Sequence, residues 1–109
     1  MTSDGHSSFG NNMKTTTVSY REGLLKRLQD PELAALYLEE VITSGDRKAL
    51  MLALKDVVDA RGGVGALADK VTLQRQSLYK VLSKDGNPTL ETFGEILKPL
   101  GLRLSVAAA

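Results

Sequence analysis

The chain has 109 residues, no cysteine, a single histidine at position 6 and a formal net charge of +1 at pH 7. The lack of cysteine excludes a disulfide framework, a thiolate nucleophile and a cysteine zinc site, and one histidine in a stretch rich in Ser, Gly and Asn is poorly suited to a catalytic triad or a metal cluster. We therefore expect a protein that is not an enzyme and that binds no metal or cofactor. No apolar run reaches membrane length and no signal peptide is visible, so we also expect one soluble cytoplasmic domain.

The first part of the chain is expected to be a disordered leader over residues 1–17. Its sizeable apolar side chains are Phe9 and Met13, which are too few to offset the entropy of ordering. Residues 18–62 are predicted to form a group of helices. The first begins after Ser19, because Glu22 three residues later completes a capping box.

Two further N-terminal helices are predicted from their caps. Asp30 precedes Pro31, the order typical of an N-cap and a first helical residue, and Asp46 caps a third helix that runs to about Arg61. Apolar residues recur at helical spacing in both. In the second helix they are Leu33, Ala34, Tyr37, Leu38, Val41 and Ile42; in the third they are Ala49, Leu50, Ala53, Leu54, Val57 and Val58. The third helix is expected to stop at Gly62-Gly63.

Residues 63–106 are predicted to contain three more helices and a short strand. Two short helices, Val64 to Lys70 and Gln74 to about Ser83, flank a break at residues 71–73. Thr89 then caps a last helix with Leu90, Phe93, Ile96, Leu97 and Leu100 on its apolar face. Residues 102–106 alternate apolar and polar in the manner of a strand, which needs a partner element or a partner chain. This segment is expected either to form a ladder between two copies of the chain or to pack on the last helix, and 107–109 are a tail. The predicted fold is all-α, with five or six helices and this C-terminal strand.

The pair of short helices has the layout of a helix-turn-helix, in which the second helix enters the DNA major groove. From Val71 to Lys84 the chain has three basic residues and no acid, a local charge of +3. The candidate DNA-binding residues are Gln74, Arg75, Gln76, Ser77, Tyr79, Lys80, Lys84 and Thr89.

These residues are assigned different roles by their chemistry. Arg pairs bidentately with guanine and Gln with adenine, so Arg75 and Gln76 are assigned to base edges. Lys80 can reach a base or a phosphate. The remaining candidates, Ser77, Tyr79, Lys84 and Thr89 with the amides beside it, suit backbone phosphates. A solvated helix surface with a chance run of basic residues is the alternative.

The same residues resemble known families. Residues 63–104, GVGALADKVTLQRQSLYKVLSKDGNPTLETFGEILKPLGLRL, resemble the Xre/Cro-type, lambda-repressor-like helix-turn-helix domain. The wider segment from Tyr20 to Gly63, followed by LADK and SLYKVLS, resembles the probable addiction-module antidote family, antitoxins of HigA-like type. The resemblance implies an antitoxin that neutralises a RelE/ParE- or HigB-like toxin and represses its own operon by binding operator DNA.

Two residues depart from the pattern of the wider family. Thr72 stands at a turn position that is often Gly, and Gln74, a poor N-cap, stands where a Ser cap is usual. The sequence therefore leaves the start of the second short helix, the DNA recognition helix, uncertain by one residue. A shift by one residue would change which of Gln74, Arg75 and Gln76 faces the bases.

The toxin surface is assigned to the second helix. From Leu28 to Asp46 the chain has five acidic residues and no Lys or Arg, a local charge of −5. A ribonuclease toxin that grips RNA is expected to be basic, so Glu32, Glu39 and Glu40 are candidate toxin contacts. A solvated face that favours the helix dipole is the competing interpretation. Catalytic pairing of Glu39 with Glu40, or of Asp56 with Asp59, is not expected, because nothing nearby would raise a pKa.

The sequence is compatible with three functions. The favoured function is an antitoxin that represses its own operon. It is expected to act as a homodimer, because a protein that recognises a two-fold symmetric DNA site needs two copies of its recognition helix. A stand-alone Xre/Cro-type repressor would need no toxin. A helical adaptor would have lost DNA binding altogether.

Overall fold

The computed structural model describes residues 20–109, and within this part all regular structure is helical. The first helix, α1, covers 20–27 of the described chain. Then come α2 (Pro31–Ser44), α3 (Arg47–Ala60), α4 (Gly63–Ala68), α5 (Arg75–Val81) and α6 (Leu90–Leu97), which a 3-10 turn (Lys98–Leu100) extends. The expected leader at residues 1–17 and the expected cap Ser19 lie outside the described residues.

Three helix starts predicted from the sequence are confirmed by side-chain caps. The carboxylate of Asp30 accepts from the backbone N–H of Glu32 at 2.9 Å. The carboxylate of Asp46 accepts from the N–H of Ala49 at 3.1 Å, and the hydroxyl of Thr89 accepts from the N–H of Thr92 at 3.1 Å. Each cap satisfies an N–H that has no partner within its helix, which fixes where the helix begins.

The third helix is the centre of the core. Six of its residues are buried: Met51, Ala53, Leu54, Val57, Val58 and Ala60. Leu28 from the end of α1, Leu38 from α2 and Ile96 from α6 are buried in the same cluster. A helix buried over so much of its surface must be covered from several sides, so α3 supports both the N-terminal helices and the α4 to α6 region.

Arg61, at the C-terminal end of α3, joins the two halves of the chain. Its Nη1 donates to the carbonyl oxygen of Leu100 at 2.9 Å, and its Nε donates to the carbonyl oxygen of Leu28 at 3.4 Å. These carbonyls end α1 and the 3-10 turn, where backbone acceptors lack helical partners. One guanidinium therefore fixes the end of α1 against the end of the 3-10 turn.

An ion-pair network joins α1, α2 and α3 on another side. Arg21 donates to Asp56 at 2.9 Å and to Asp59 at 3.1 Å, while Lys55 pairs with Asp59 at 3.0 Å. The hydroxyl of Tyr37 donates to Asp56 at 3.1 Å. Burial and this hydrogen bond raise the pKa of Tyr37 to about 12. Asp56 and Asp59 thus join the three helices through ion pairs and a hydrogen bond.

The structure differs from the sequence-based predictions in the exposure of three apolar side chains and in the C-terminal segment. Leu90, predicted on the apolar face of the last helix, is 77% exposed, and Leu33 and Ile42 of α2 are also exposed. The predicted strand at 102–106 is absent, since residues 102–109 form no strand in the described chain. The physical reason is that residues 20–109 contain no other strand with which this segment could pair.

Candidate nucleic-acid interface

The region with the candidate DNA contacts is built on two short helices, α4 and α5, that pack against each other. Leu67 of α4 and Leu78 of α5 are both buried in the core, and Leu82 follows Leu78 one turn later. Residues 69–74 connect the two helices without regular structure. Because Leu78 has no exposed surface, α5 is fixed on the core by its middle residue.

Thr72 shows how the connection forms without glycine. Among the described residues every residue with a positive φ is a glycine, so Thr72 has an ordinary negative φ. Its hydroxyl donates to the carboxylate of Glu95 in α6 at 2.6 Å. The threonine therefore holds the connection against α6 through a charge-assisted hydrogen bond.

Helix α5 begins at Arg75, which settles the one-residue uncertainty that the sequence left about its start. Gln74 is the N-cap with an extended backbone (φ −70°, ψ 151°), and its side chain makes no capping hydrogen bond. The Gln74 amide is therefore not engaged in capping and lies on the surface. Arg75, Gln76 and Ser77 form the first turn of the helix.

The exposed face of α5 consists of hydrogen-bonding side chains. Gln74, Arg75, Gln76, Ser77, Tyr79 and Lys80 are all exposed. Successive helical residues are about 100° apart, so Gln76 and Lys80 point almost directly away from buried Leu78, and Arg75 and Ser77 lie at the two flanks. The outermost position of α5 thus belongs to one amide and one ammonium group.

Arg75 is directed toward α4. A Cβ placed on Gly65 would lie 3.9 Å from both Nη atoms of Arg75, so the guanidinium lies over the glycine of the preceding helix. The absence of a side chain at residue 65 leaves room for it. Gln76 is therefore the more outward of the two residues that the sequence assigned to base edges.

The loop after α5 is fixed by Gly86 and Arg47. A Cβ on Gly86 would overlap the carbonyl oxygen of Val81, so the close approach of the loop to α5 requires glycine. Nη1 of Arg47, in the first turn of α3, donates to the carbonyl oxygen of Gly86 at 2.8 Å. Lys84, before this glycine, and Thr89, after it, are both exposed. Lys84 thus follows the end of α5 by three residues, whereas Thr89 is the N-cap of α6.

The basic side chains on this surface make no ion pair with other residues in the described part of the chain. The ion pairs of the described residues involve Arg21, Lys55, Asp56 and Asp59, and none includes Arg75, Lys80 or Lys84. An exposed cation without an internal partner is available to an anionic ligand.

The acidic candidates lie on α2. Glu32, Glu39 and Glu40 are exposed, and none takes part in an ion pair of the described residues. Leu36, on the same side of the helix, is 62% exposed. This face of α2 therefore combines free carboxylates with an exposed apolar side chain.

Residues 20–109 contain no group of three or more His, Cys, Asp or Glu side chains that could hold a metal ion. Among the same residues, no helix has both the length and the apolar character needed to span a membrane.

Comparison with known proteins identifies the family of the chain. The family described as probable addiction module antidote protein matches residues 21–108, and the chain belongs to this family. An uncharacterized protein of Haemophilus influenzae is 33% identical over 81 residues, which cover 74% of this chain and 82% of the relative. No solved structure matches the chain.

Sequence reasoning missed three residues that position this region. Arg47 and Gly86 meet across 39 residues of sequence, and Glu95 meets Thr72 across 23. One signal was present: a basic residue in the first turn of a helix is disfavoured by the helix dipole, so Arg47 needed another reason to be there.

Proposed function

We propose that this protein is the antitoxin of a type II toxin-antitoxin module, that it neutralises a RelE/HigB-like toxin, and that it represses its own operon through a helix-turn-helix formed by α4 and α5. The antidote family to which the chain belongs supports the antitoxin role. The observation that supports DNA binding best is the exposed, acid-free face of α5, which is fixed on the core by Leu78.

In this proposal α5 is the recognition helix of an Xre/Cro-type reader. Gln76 reads an adenine edge, since a glutamine amide can donate and accept with the N6 and N7 of adenine. Arg75 reaches guanine by swinging away from Gly65, a motion that its exposed side chain permits. Lys80 reaches a base or a phosphate, and Gln74, Ser77, Tyr79, Lys84 and Thr89 position the duplex through its backbone.

The DNA part is tested by titrating the purified protein with double-stranded DNA from upstream of its own reading frame. We expect Arg75→Ala with Gln76→Ala to lower the affinity for the specific site by about 2 to 6 kcal/mol, at roughly 1 to 3 per bidentate contact. Binding to unrelated DNA should fall much less, and Lys26→Ala on α1, which removes one exposed cation elsewhere, is the control. Unchanged specific affinity in the double variant would favour the helical adaptor.

The toxin part of the proposal places a basic protein on the acidic face of α2. Glu32, Glu39 and Glu40 attract the toxin, and Leu36 supplies an apolar contact at the centre of this face. Electrostatic attraction of this kind weakens as salt rises.

This surface is tested by measuring toxin affinity against salt concentration. Changing the three glutamates to Gln should weaken binding and flatten its salt dependence, while changing them to Asp keeps the charge and should preserve most of both. If the Gln variant binds with unchanged affinity, the toxin lies elsewhere. A protein that captures no toxin at all, yet binds its operator, would be the stand-alone Xre/Cro-type repressor.

A further inference from the structure

A small cavity lies where the end of α3 meets α4 and the 3-10 turn. Its volume is about 10 Å³, close to the space that a single water-sized group needs, and it is partly open to solvent. Val58, Leu67 and Pro99 form apolar parts of its wall. The charged residues of the wall are Arg61 and Lys70, and both are cations.

The guanidinium of Arg61 is fixed at this cavity, but one of its nitrogens has no acceptor. Nη1 donates to the carbonyl oxygen of Leu100, which also lines the cavity, and Nε donates to that of Leu28. Nη2 is bonded to the same carbon as Nη1, is buried, and makes no hydrogen bond within residues 20–109. A buried donor without an acceptor costs free energy, so in native proteins such a group is usually satisfied by a bound water or ion.

The charges around the cavity favour an anion over a water molecule. The ion pairs of residues 20–109 include neither Arg61 nor Lys70, and the cavity wall contains no carboxylate. A water molecule would accept from Nη2 but would leave the positive charge without a counter-ion, and a charge removed from water is costly unless it is paired. Lys70 is exposed, and its flexible stem lets the ammonium group reach the open side of the cavity.

We propose that this cavity binds one small monovalent inorganic anion, of the size of chloride, between Nη2 of Arg61 and the ammonium group of Lys70. The volume of about 10 Å³ has room for a single ion but not for the four oxygens of phosphate or sulfate. The apolar parts of the wall offer the ion no hydrogen bond, so the two cations hold it.

The bound anion joins separate elements of the fold. Arg61 follows the last residue of α3, Lys70 follows α4 by two residues, and Leu100 between them belongs to the 3-10 turn. Because these groups meet only in the folded chain, the anion binds the folded state and stabilises it by mass action. Stability therefore depends on which anion is present as well as on ionic strength. The anion site goes beyond the proposed function and requires neither DNA nor a toxin.

Urea unfolding of the full chain in two potassium salts tests the site. Chloride is compared with gluconate, a bulky anion that does not fit the cavity, at the same ionic strength, so that both salts screen charges equally. With each salt at about 200 mM, the equilibrium constant for unfolding should be at least about threefold smaller in chloride. Equal constants in the two salts would overturn the proposal.

Three variants assign the effect of chloride to the cavity. Lys70→Met removes the ammonium group from an exposed side chain, so the fold is kept, and it should abolish most of the difference between the two salts. Lys26→Met removes an exposed cation of α1 and should keep the whole difference, which controls for general effects of the salts. Arg61→Lys keeps the charge but loses Nη2, and should also abolish the difference; if it does not fold, Lys70→Met and Lys26→Met decide. An undiminished effect of chloride in Lys70→Met contradicts the site.

The ion itself is observed by two methods. The NMR line of chloride should broaden in the presence of the wild type and much less with Lys70→Met. In a crystal soaked in bromide, anomalous scattering should place an ion beside Nη2 of Arg61. A water molecule at that position, with bromide bound only elsewhere, would mean that Nη2 is satisfied by water and would overturn the proposal. If chloride stabilises the protein as described but the chain binds neither operator DNA nor a toxin, the proposed function fails and the anion site stands.

Discussion

Nη1 of Arg47 lies 2.8 Å from the carbonyl oxygen of Gly86, and this hydrogen bond joins the first turn of α3 to the loop that follows α5. The loop also needs Gly86 itself, since any Cβ there would overlap the carbonyl oxygen of Val81. The position of α5 and of the start of α6 therefore depends on a contact with the central helix as well as on buried Leu78.

Gly86→Ala should destabilise the protein by about 2 to 4 kcal/mol, because the backbone of the loop must move away from α5. Urea unfolding followed by circular dichroism measures this. Gly94→Ala is the matched control, because a Cβ there meets only Leu104 at 4.0 Å and alanine is favoured over glycine within a helix by roughly 0.5 to 1 kcal/mol. Equal effects of the two substitutions would show that the loop does not approach α5 as described.

Arg47→Ala should cost about 1 kcal/mol in unfolding free energy. The loss of a charged hydrogen bond, about 1.5 to 3 kcal/mol, is partly offset because a cation leaves the N-terminal end of α3. Lys48→Ala removes the neighbouring cation, which makes no hydrogen bond among the described residues, and should leave stability unchanged or slightly raised. The two variants are compared in the same urea titration, and a stable Arg47→Ala protein would mean that the bond to Gly86 contributes little.

Stability should fall at alkaline pH because of Tyr37. Its pKa is raised from 10 to about 12 in the folded protein, chiefly by burial and then by its hydrogen bond to Asp56. The folded state therefore holds this proton more tightly than the unfolded state. The resulting stabilisation is fully present below pH 10 and is lost as the pH rises from 10 to about 12.

Tyr37→Phe isolates this effect. The substitution keeps the ring in place but removes both the titrating group and the hydrogen bond to Asp56, at a cost of about 1 kcal/mol near neutral pH. The difference in stability between wild type and variant should shrink across the alkaline range. The phenolate absorbance of wild type and variant is titrated with pH, and the difference between the two curves gives the ionisation of Tyr37. If this difference titrates near the ordinary tyrosine pKa, Tyr37 does not have the environment described.

Gln76 and Lys80 should affect DNA binding in different ways. Gln76→Ala should lower affinity for the specific site by about 1 to 3 kcal/mol and relax the preference for one base pair. If Lys80 contacts a phosphate, Lys80→Ala should weaken binding to all sequences and reduce the salt slope by about 1. Fluorescence anisotropy at several salt concentrations separates the two. If Lys80→Ala changes sequence preference with the same salt slope, Lys80 reads a base.

The sequence predicted the features that local chemistry determines. Asp30, Asp46 and Thr89 cap helices as expected, because a cap and the N–H that it satisfies are two or three residues apart. The exposed residues of α5 were also predicted, since periodicity alone shows which side faces the core. Contacts between distant residues were not predictable, because nothing near Arg47 or Arg61 in the sequence indicates the carbonyl oxygen that each one binds.

Two further differences have the same origin. The direction of Arg75 depends on the open space at Gly65, in a different helix. The strand expected at 102–106 is a property of a pair of segments, and the described part of a single chain supplies only one. Leu90 was placed in the core by its helical spacing, although no element within residues 20–109 covers it.

The most direct measurement of the proposed function is growth of a bacterial host that expresses the reading frame next to the gene for this protein. The neighbour alone should arrest growth, and co-expression of this chain should restore it. The double variant Arg75→Ala with Gln76→Ala should still restore growth, because it leaves α2 intact, whereas the triple Gln variant of Glu32, Glu39 and Glu40 should not. If the neighbour is harmless by itself, or if this chain does not relieve the arrest, the protein is not the antitoxin of that module.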